Sequence, residues 1–110
     1  MLDKINALCA MIEQQQRDRL KAEGMERILE GTHYTGSVKV GRKYANIDFG
    51  GSGKYMVNLA TGEIFGIKAY GVIHRGHRFG TLDTVNDWDW SGYRAQLRKG
   101  IYIHYSLLDY

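Results

Sequence analysis

The chain has 110 residues, of which 44% are hydrophobic and 25% charged, the ordinary balance of a soluble globular protein and close to the common size of one domain. No window approaches the roughly 18 apolar residues that a membrane span needs. Cys9 is the only cysteine, which excludes an internal disulfide. The formal charge is +3, unevenly spread. Residues 1–30 carry five bases and six acids, whereas residues 39–78 carry seven bases against Asp48 and Glu63. A basic middle of this kind suits an anionic partner.

The N-terminus, MLDKINALCAMIEQQQ, makes a poor signal peptide, because its apolar run is short and acids sit on both sides. A cytoplasmic location is expected. Residues 3 to about 22 read as a helix, with Asp3 as its cap. Ile5, Leu8, Cys9 and Ile12 share one stripe, with Leu20 near its continuation. Cys9 among these apolar neighbours reads as a small buried hydrophobe. Gly24 marks a break or kink, with Met25, Ile28 and Leu29 continuing on another face as far as Gly31. The helix offers two roles: packing on a sheet, or pairing with a copy of itself through Leu8 and Ile12 in a homodimer.

After Gly31 the apolar period shifts to two. Ala45, Ile47 and Phe49 alternate with Tyr44, Asn46 and Asp48, and Tyr55, Val57 and Leu59 alternate with Met56 and Asn58. Gly50-Gly51-Ser52-Gly53 joins these two strands. The sequence GGSGK lacks the first glycine and the hydroxyl residue of a phosphate-binding loop, and it does not open a helix. Leu59–Ile64 is a tight turn, and Ile64–Tyr70 the next strand. Val72 and Ile73 lead into a turn near Arg75-Gly76, which places His74 and His77 at a hairpin tip or a loop edge. Trp90–Leu97 is expected as a short helix with Ser91 as a cap, and Ile101–Tyr105 as a last strand. The fold class expected is α+β: a single domain over 1–110, helical in 1–30, then a curved antiparallel sheet of four to six strands in 31–110.

Four chemistries compete for the polar residues. A metal centre would need His33, His104 or Asp83 to join His74 and His77, and His-x-x-His on a strand or turn does not aim two rings at one point, so no metal is expected. A small histidine-dependent enzyme would use His74 or His77 as a base with Asp83 orienting it, but no nucleophile or carboxylate pair is placed by spacing. No catalytic set and no cofactor are expected. Nucleic acid is the preferred partner, because cations and rings interleave. Lys39, Arg42, Lys43, Lys54, Lys68, Arg75 and Arg78 would neutralise phosphates. Tyr44, Tyr55 and Tyr70 would stack, and His74 and His77 would add polar contacts. A protein partner is the rival, engaged through Trp88, Trp90 and Tyr93 in the acidic aromatic stretch DTVNDWDWSGY, or through the N-terminal helix. There Asp87 and Asp89 alternate with the two tryptophans, which strand geometry would put on opposite faces.

Residues 53–84, GKYMVNLATGEIFGIKAYGVIHRGHRFGTLDT, resemble a segment of small bacteriophage-encoded proteins, through the words GKYMV, TGEIFGIKAYG and GTLDT. The resemblance covers under a third of the chain and implies a phage or prophage origin. Such an origin implies one of two roles in the host cytoplasm: handling nucleic acid or a nucleoprotein, or blocking a host defence system as anti-CRISPR proteins do.

Overall fold

A computed structural model describes residues 1–25, 27 and 34–98. The first helix, α1, runs Leu2–Ala22 and buries Ile5, Leu8, Cys9 and Ile12, the stripe that the three-and-four spacing marks. Gln16 extends that buried line by one turn. Leu8 and Ile12 are therefore covered within the chain and offer nothing for pairing two helices. The helix starts at Met1 with no side-chain cap; Asp3 lies inside the first turn, where its charge favours the helix dipole without capping it. On the exposed side Gln14–Asp18, Arg17–Glu13 and Arg19–Glu23 pair at one-turn spacing, at 2.8, 3.1 and 3.1 Å. The stop is a Schellman motif. Gly24, at φ +76°, donates to the Lys21 carbonyl, and Met25 to that of Leu20. The expected continuation through Ile28, Leu29 and Gly31 lies outside the described residues.

Five strands follow as an antiparallel meander in chain order: β1 (Gly36–Val40), β2 (Tyr44–Phe49), β3 (Ser52–Asn58), β4 (Glu63–Ala69) and β5 (Val72–Thr81). The architecture is α+β. Register gives each face its rows. Val40, Ala45, Val57 and Ile64 stand side by side on the face that α1 covers. Lys39, Asn46, Met56, Phe65 and Arg78 make a row on the other. The core joins the helix stripe to Ala45, Ile47, Tyr55, Val57, Ile64 and Phe79, closed at one end by Leu82, Trp90 and Ala95. The thiol of Cys9 is pushed up by burial, then by Glu13 and Asp48, so this residue packs rather than reacts.

Two irregularities in the ladder matter most. Between β2 and β3, Ile47 faces Tyr55 but Asp48 faces Gly53, so Lys54 is the extra, unpaired residue of a bulge. Between β4 and β5, Phe65 faces Arg78 while its neighbour Gly66 faces His74. Arg75, Gly76 and His77 therefore form a three-residue bulge within β5. This corrects the hairpin tip expected at Arg75-Gly76: the strand runs through, and the reversal occurs earlier, at Tyr70-Gly71. The glycine at 71 carries the left-handed turn, at φ +73°, whereas Gly76 has no positive φ.

After β5 a 3-10 segment, Leu82–Asp87, opens with a reciprocal capping box between Thr81 and Thr84. It leads to β6 (Trp88–Asp89), which pairs with β7 (Gln96–Leu97) as a separate two-stranded sheet. The helix expected over Trp90–Leu97 is not there. Asp89 accepts from both the backbone and the hydroxyl of Ser91, at 2.9 and 2.7 Å, which turns the chain instead of capping a helix. The strand expected at Ile101–Tyr105 lies outside the described residues. No helix among the described residues is long and apolar enough to cross a membrane.

Gly80 is the tightest seam of this region. It has φ +71°, and a β-carbon there would run into Thr84 Oγ1 and come 2.7 Å from Trp88 Nε1. Gly80→Ala is expected to cost about 2 kcal/mol, from left-handed strain plus overpacking. A urea midpoint unchanged from wild type would show that the capping box and Trp88 shift freely.

Candidate functional site

The two bulges aim side chains into one place. In a regular strand Lys54 would face away from Tyr55, and His74 away from His77. The β3 bulge instead brings Lys54 to the side of the sheet that carries α1, and the β5 bulge puts both imidazoles there. Their rings stack at 3.8 Å and 1°. The result is a cleft of about 720 Å³ between the C-terminal half of α1, the open ends of β3–β5 and the Ser91–Arg94 turn.

Its cations are Arg19, Lys54 and Arg94, and Glu23 is the carboxylate in its lining. Arg19 pairs with Glu23 at 3.1 Å. Among the described residues no carboxylate lies within 4.0 Å of Lys54 or Arg94. The Lys54 ammonium sits 4.2 Å from the ring centroid of Tyr93, a residue that is 85% exposed. Burial, then the neighbouring Arg94, push its pKa below the ordinary lysine value. An anion entering the cleft relieves both effects.

His77 lines the same cleft. Arg94 Nη1 stands 3.0 Å from its Nε2 and 3.3 Å from its Nδ1. A guanidinium only donates, so this contact needs an unprotonated ring nitrogen. Desolvation, then His74, then Arg94 hold the His77 pKa below its ordinary 6.5. The sign follows directly. As the pH falls through about 6.5 the unfolded chain takes up a proton that the fold resists, so stability should fall there and level off below the folded-state pKa. In urea midpoints from about pH 8 to 5, wild type should lose more stability on acidification than His77→Gln. Parallel curves would remove His77 as the source.

The other anticipated residues are distributed as follows. Lys39 and Arg78 lie on the face opposite α1, at opposite edges of one row, roughly 19 Å apart across four strand spacings. Arg78 is held by Glu63 at 2.6 Å. Arg75 reaches the Tyr44 hydroxyl at 3.4 Å. Arg42 and Lys43 are exposed at the β1–β2 turn, and Lys68 is exposed near the β4–β5 turn. The basic residues of 39–78 thus do not gather on one surface. Tyr55 is a correction: at 1% exposure it is a core ring, edge-on to Phe79 and Trp90, and its hydroxyl accepts from Ala95 N–H at 3.0 Å. It has no face to offer a base. Tyr70 is exposed but tied by its hydroxyl to Asp48 at 2.9 Å.

Trp90, at 0% exposure, is likewise core, and Trp88 is half-buried edge-on to Phe79. Of the three residues expected to dock a protein, only Tyr93 stands out in solvent. Asp83 pairs with Lys4 at 2.8 Å and does not orient a histidine. Among the described residues no group of three or more His, Cys, Asp or Glu is arranged to hold a metal ion. His33 and His104 lie outside the described residues.

The sequence reading missed Arg19, Arg94 and Gln16. Arg19 reads as part of a solvated helix face, and Arg94 follows the acidic aromatic stretch, inside the segment expected as a short helix. Comparison with protein-family models, with curated proteins and with solved structures gives no match.

Proposed function

We propose that this chain is a non-catalytic module that binds single-stranded nucleic acid, alone or in a nucleoprotein, with the α1–sheet cleft as its phosphate seat. The observation that carries this reading is the convergence of Lys54 and Arg94, uncompensated by any carboxylate among the described residues, beside the exposed ring of Tyr93. A concave pair of like charges, with Lys54 half-buried and the exposed Arg94 close enough to lower its pKa, is unfavourable in the free protein and favourable with an anion in place. A ring at the rim supplies the stacking surface that single-strand binders use. In this reading Arg42, Lys43 and Lys68 are outlying charges that steer the approach of a polyanion to the cleft.

The inhibitor alternative has less support. Of its anchors, Trp90 and the apolar stripe of α1 are spent on the core and Trp88 is half-buried, which leaves Tyr93 as the exposed one. The phage-type origin implied by the resemblance suits either role.

The test is a binding titration with single- and double-stranded DNA and RNA over a range of salt. The logarithm of the affinity should fall linearly with the logarithm of salt, by about 0.7 per phosphate engaged on a single strand. No binding at low salt, or binding indifferent to salt, would overturn the reading.

A further inference from the structure

We propose that the cleft selects a phosphate monoester: a free nucleoside monophosphate, or the phosphorylated end of a strand. This rests on the nucleic-acid reading above and sharpens it. Three features of the site carry it: its charge, its size and its ring.

Charge comes first. Arg19 and Glu23 satisfy each other at 3.1 Å, which leaves Lys54 and Arg94 as the unbalanced pair. Two positive charges match the roughly −1.5 to −2 that a monoester carries at neutral pH. An internal phosphodiester brings only one negative charge, so one of these two neighbouring cations would stay uncompensated. Lys54 offers three donors on a point charge, and Arg94 a planar fork suited to two phosphate oxygens. Neither has a carboxylate among the described residues to give up first.

The volume is consistent. About 720 Å³ falls within the range of pockets that enclose a compact small molecule and is ample for one nucleotide.

Tyr93 completes the unit. One face of its ring covers the Lys54 ammonium at 4.2 Å, and the residue is 85% exposed, so the other face is open to solvent. A base stacked on that outer face and a phosphate reaching the ammonium past the ring's edge would be bridged by the sugar of a single nucleotide. Stacking of this kind is tolerant of base identity, so the selection is for the phosphate and not for sequence.

The test uses the full chain and five probes: adenosine, AMP, inorganic phosphate, and one short DNA oligonucleotide with and without a 5′-phosphate. Titrations are run at about 0.1 M salt. The phosphorylated oligonucleotide should bind at least about tenfold more tightly than its unphosphorylated twin, the worth of one added charge-assisted hydrogen bond. AMP should compete with it and adenosine should not. Lys54→Gln should erase the advantage of the phosphate, and Tyr93→Ala should weaken AMP while leaving inorganic phosphate unchanged.

Equal affinity for the two oligonucleotides would overturn the monoester proposal while leaving nucleic-acid binding intact. Binding of AMP without either oligonucleotide would support the monoester, assign it to a free nucleotide and overturn the nucleic-acid reading. Binding of none of the five would overturn both.

Discussion

Trp90→Ala should destabilise the fold by about 3–5 kcal/mol, the largest single-residue loss expected in this chain. Trp90 is the largest fully buried side chain, at 0% exposure. It stands edge-on to Tyr55 at 5.3 Å and 85°, and to Phe79 at 6.5 Å and 70°. Its indole N–H donates to the Val85 carbonyl at 2.9 Å, and its backbone N–H donates to Gln15 of α1 at 2.8 Å. The residue therefore ties the 3-10 segment, the helix and the sheet together. Domains of this size have a total stability of only about 5–15 kcal/mol, so the alanine variant sits near the limit of folding. Trp90→Phe keeps a ring against Tyr55 and Phe79 and loses one of two donors to the Val85 carbonyl, which still accepts from the Trp88 N–H, so it should cost about 1–3 kcal/mol in lost volume and one hydrogen bond. Urea midpoints decide the matter: a loss under about 1 kcal/mol for the alanine variant would mean that Trp90 is not part of the core.

The same residue shows what the sequence could and could not convey. Asp87 to Trp90 do not alternate as one strand, since Asp87 ends the 3-10 segment and only Trp88 and Asp89 are in β6, but the apolar stripe of α1 and the antiparallel strands are present in the fold. Those signals are legible because burial acts on every residue of an element at once. The cleft was illegible for a different reason. It depends on two bulges, and a bulge is a local change of phase that leaves the composition untouched. With period two applied strictly, Lys54 faces away from Tyr55, and His74 and His77 face opposite ways. Each of those placements is inverted by one or three extra residues in the ladder.

The cations of the cleft were illegible by the same logic, because proximity in sequence is not proximity in space. The cations that meet come from three elements far apart in the chain: Arg19 on α1, Lys54 on β3, and Arg94 beyond β6. Arg-Gly between two histidines was a real signal of irregularity, and it marked a bulge where a turn was expected.

Removing Lys54 and Arg94 together should separate function from stability. In the free protein these two cations repel, and burial disfavours the charge on Lys54. No ion pair among the described residues depends on either one. Lys54→Gln with Arg94→Gln should therefore leave the urea midpoint unchanged or slightly raised, the reverse of what loss of two structural side chains would do. Binding of a single-stranded oligonucleotide should fall about 100-fold, since each charge-assisted hydrogen bond removed is worth about 1.5 kcal/mol or more, and about 1.4 kcal/mol is a factor of ten. The slope of log affinity against log salt should shrink along with it, because fewer counterions are released. Arg42→Gln with Lys43→Gln removes the same charge from the exposed β1–β2 turn and supplies the control. If the cleft is the seat, that pair changes the affinity by a few-fold at most, through long-range steering alone. Equal losses from the two double variants would mean that binding follows net charge and not the cleft, and the convergence of Lys54 and Arg94 would then have no functional meaning.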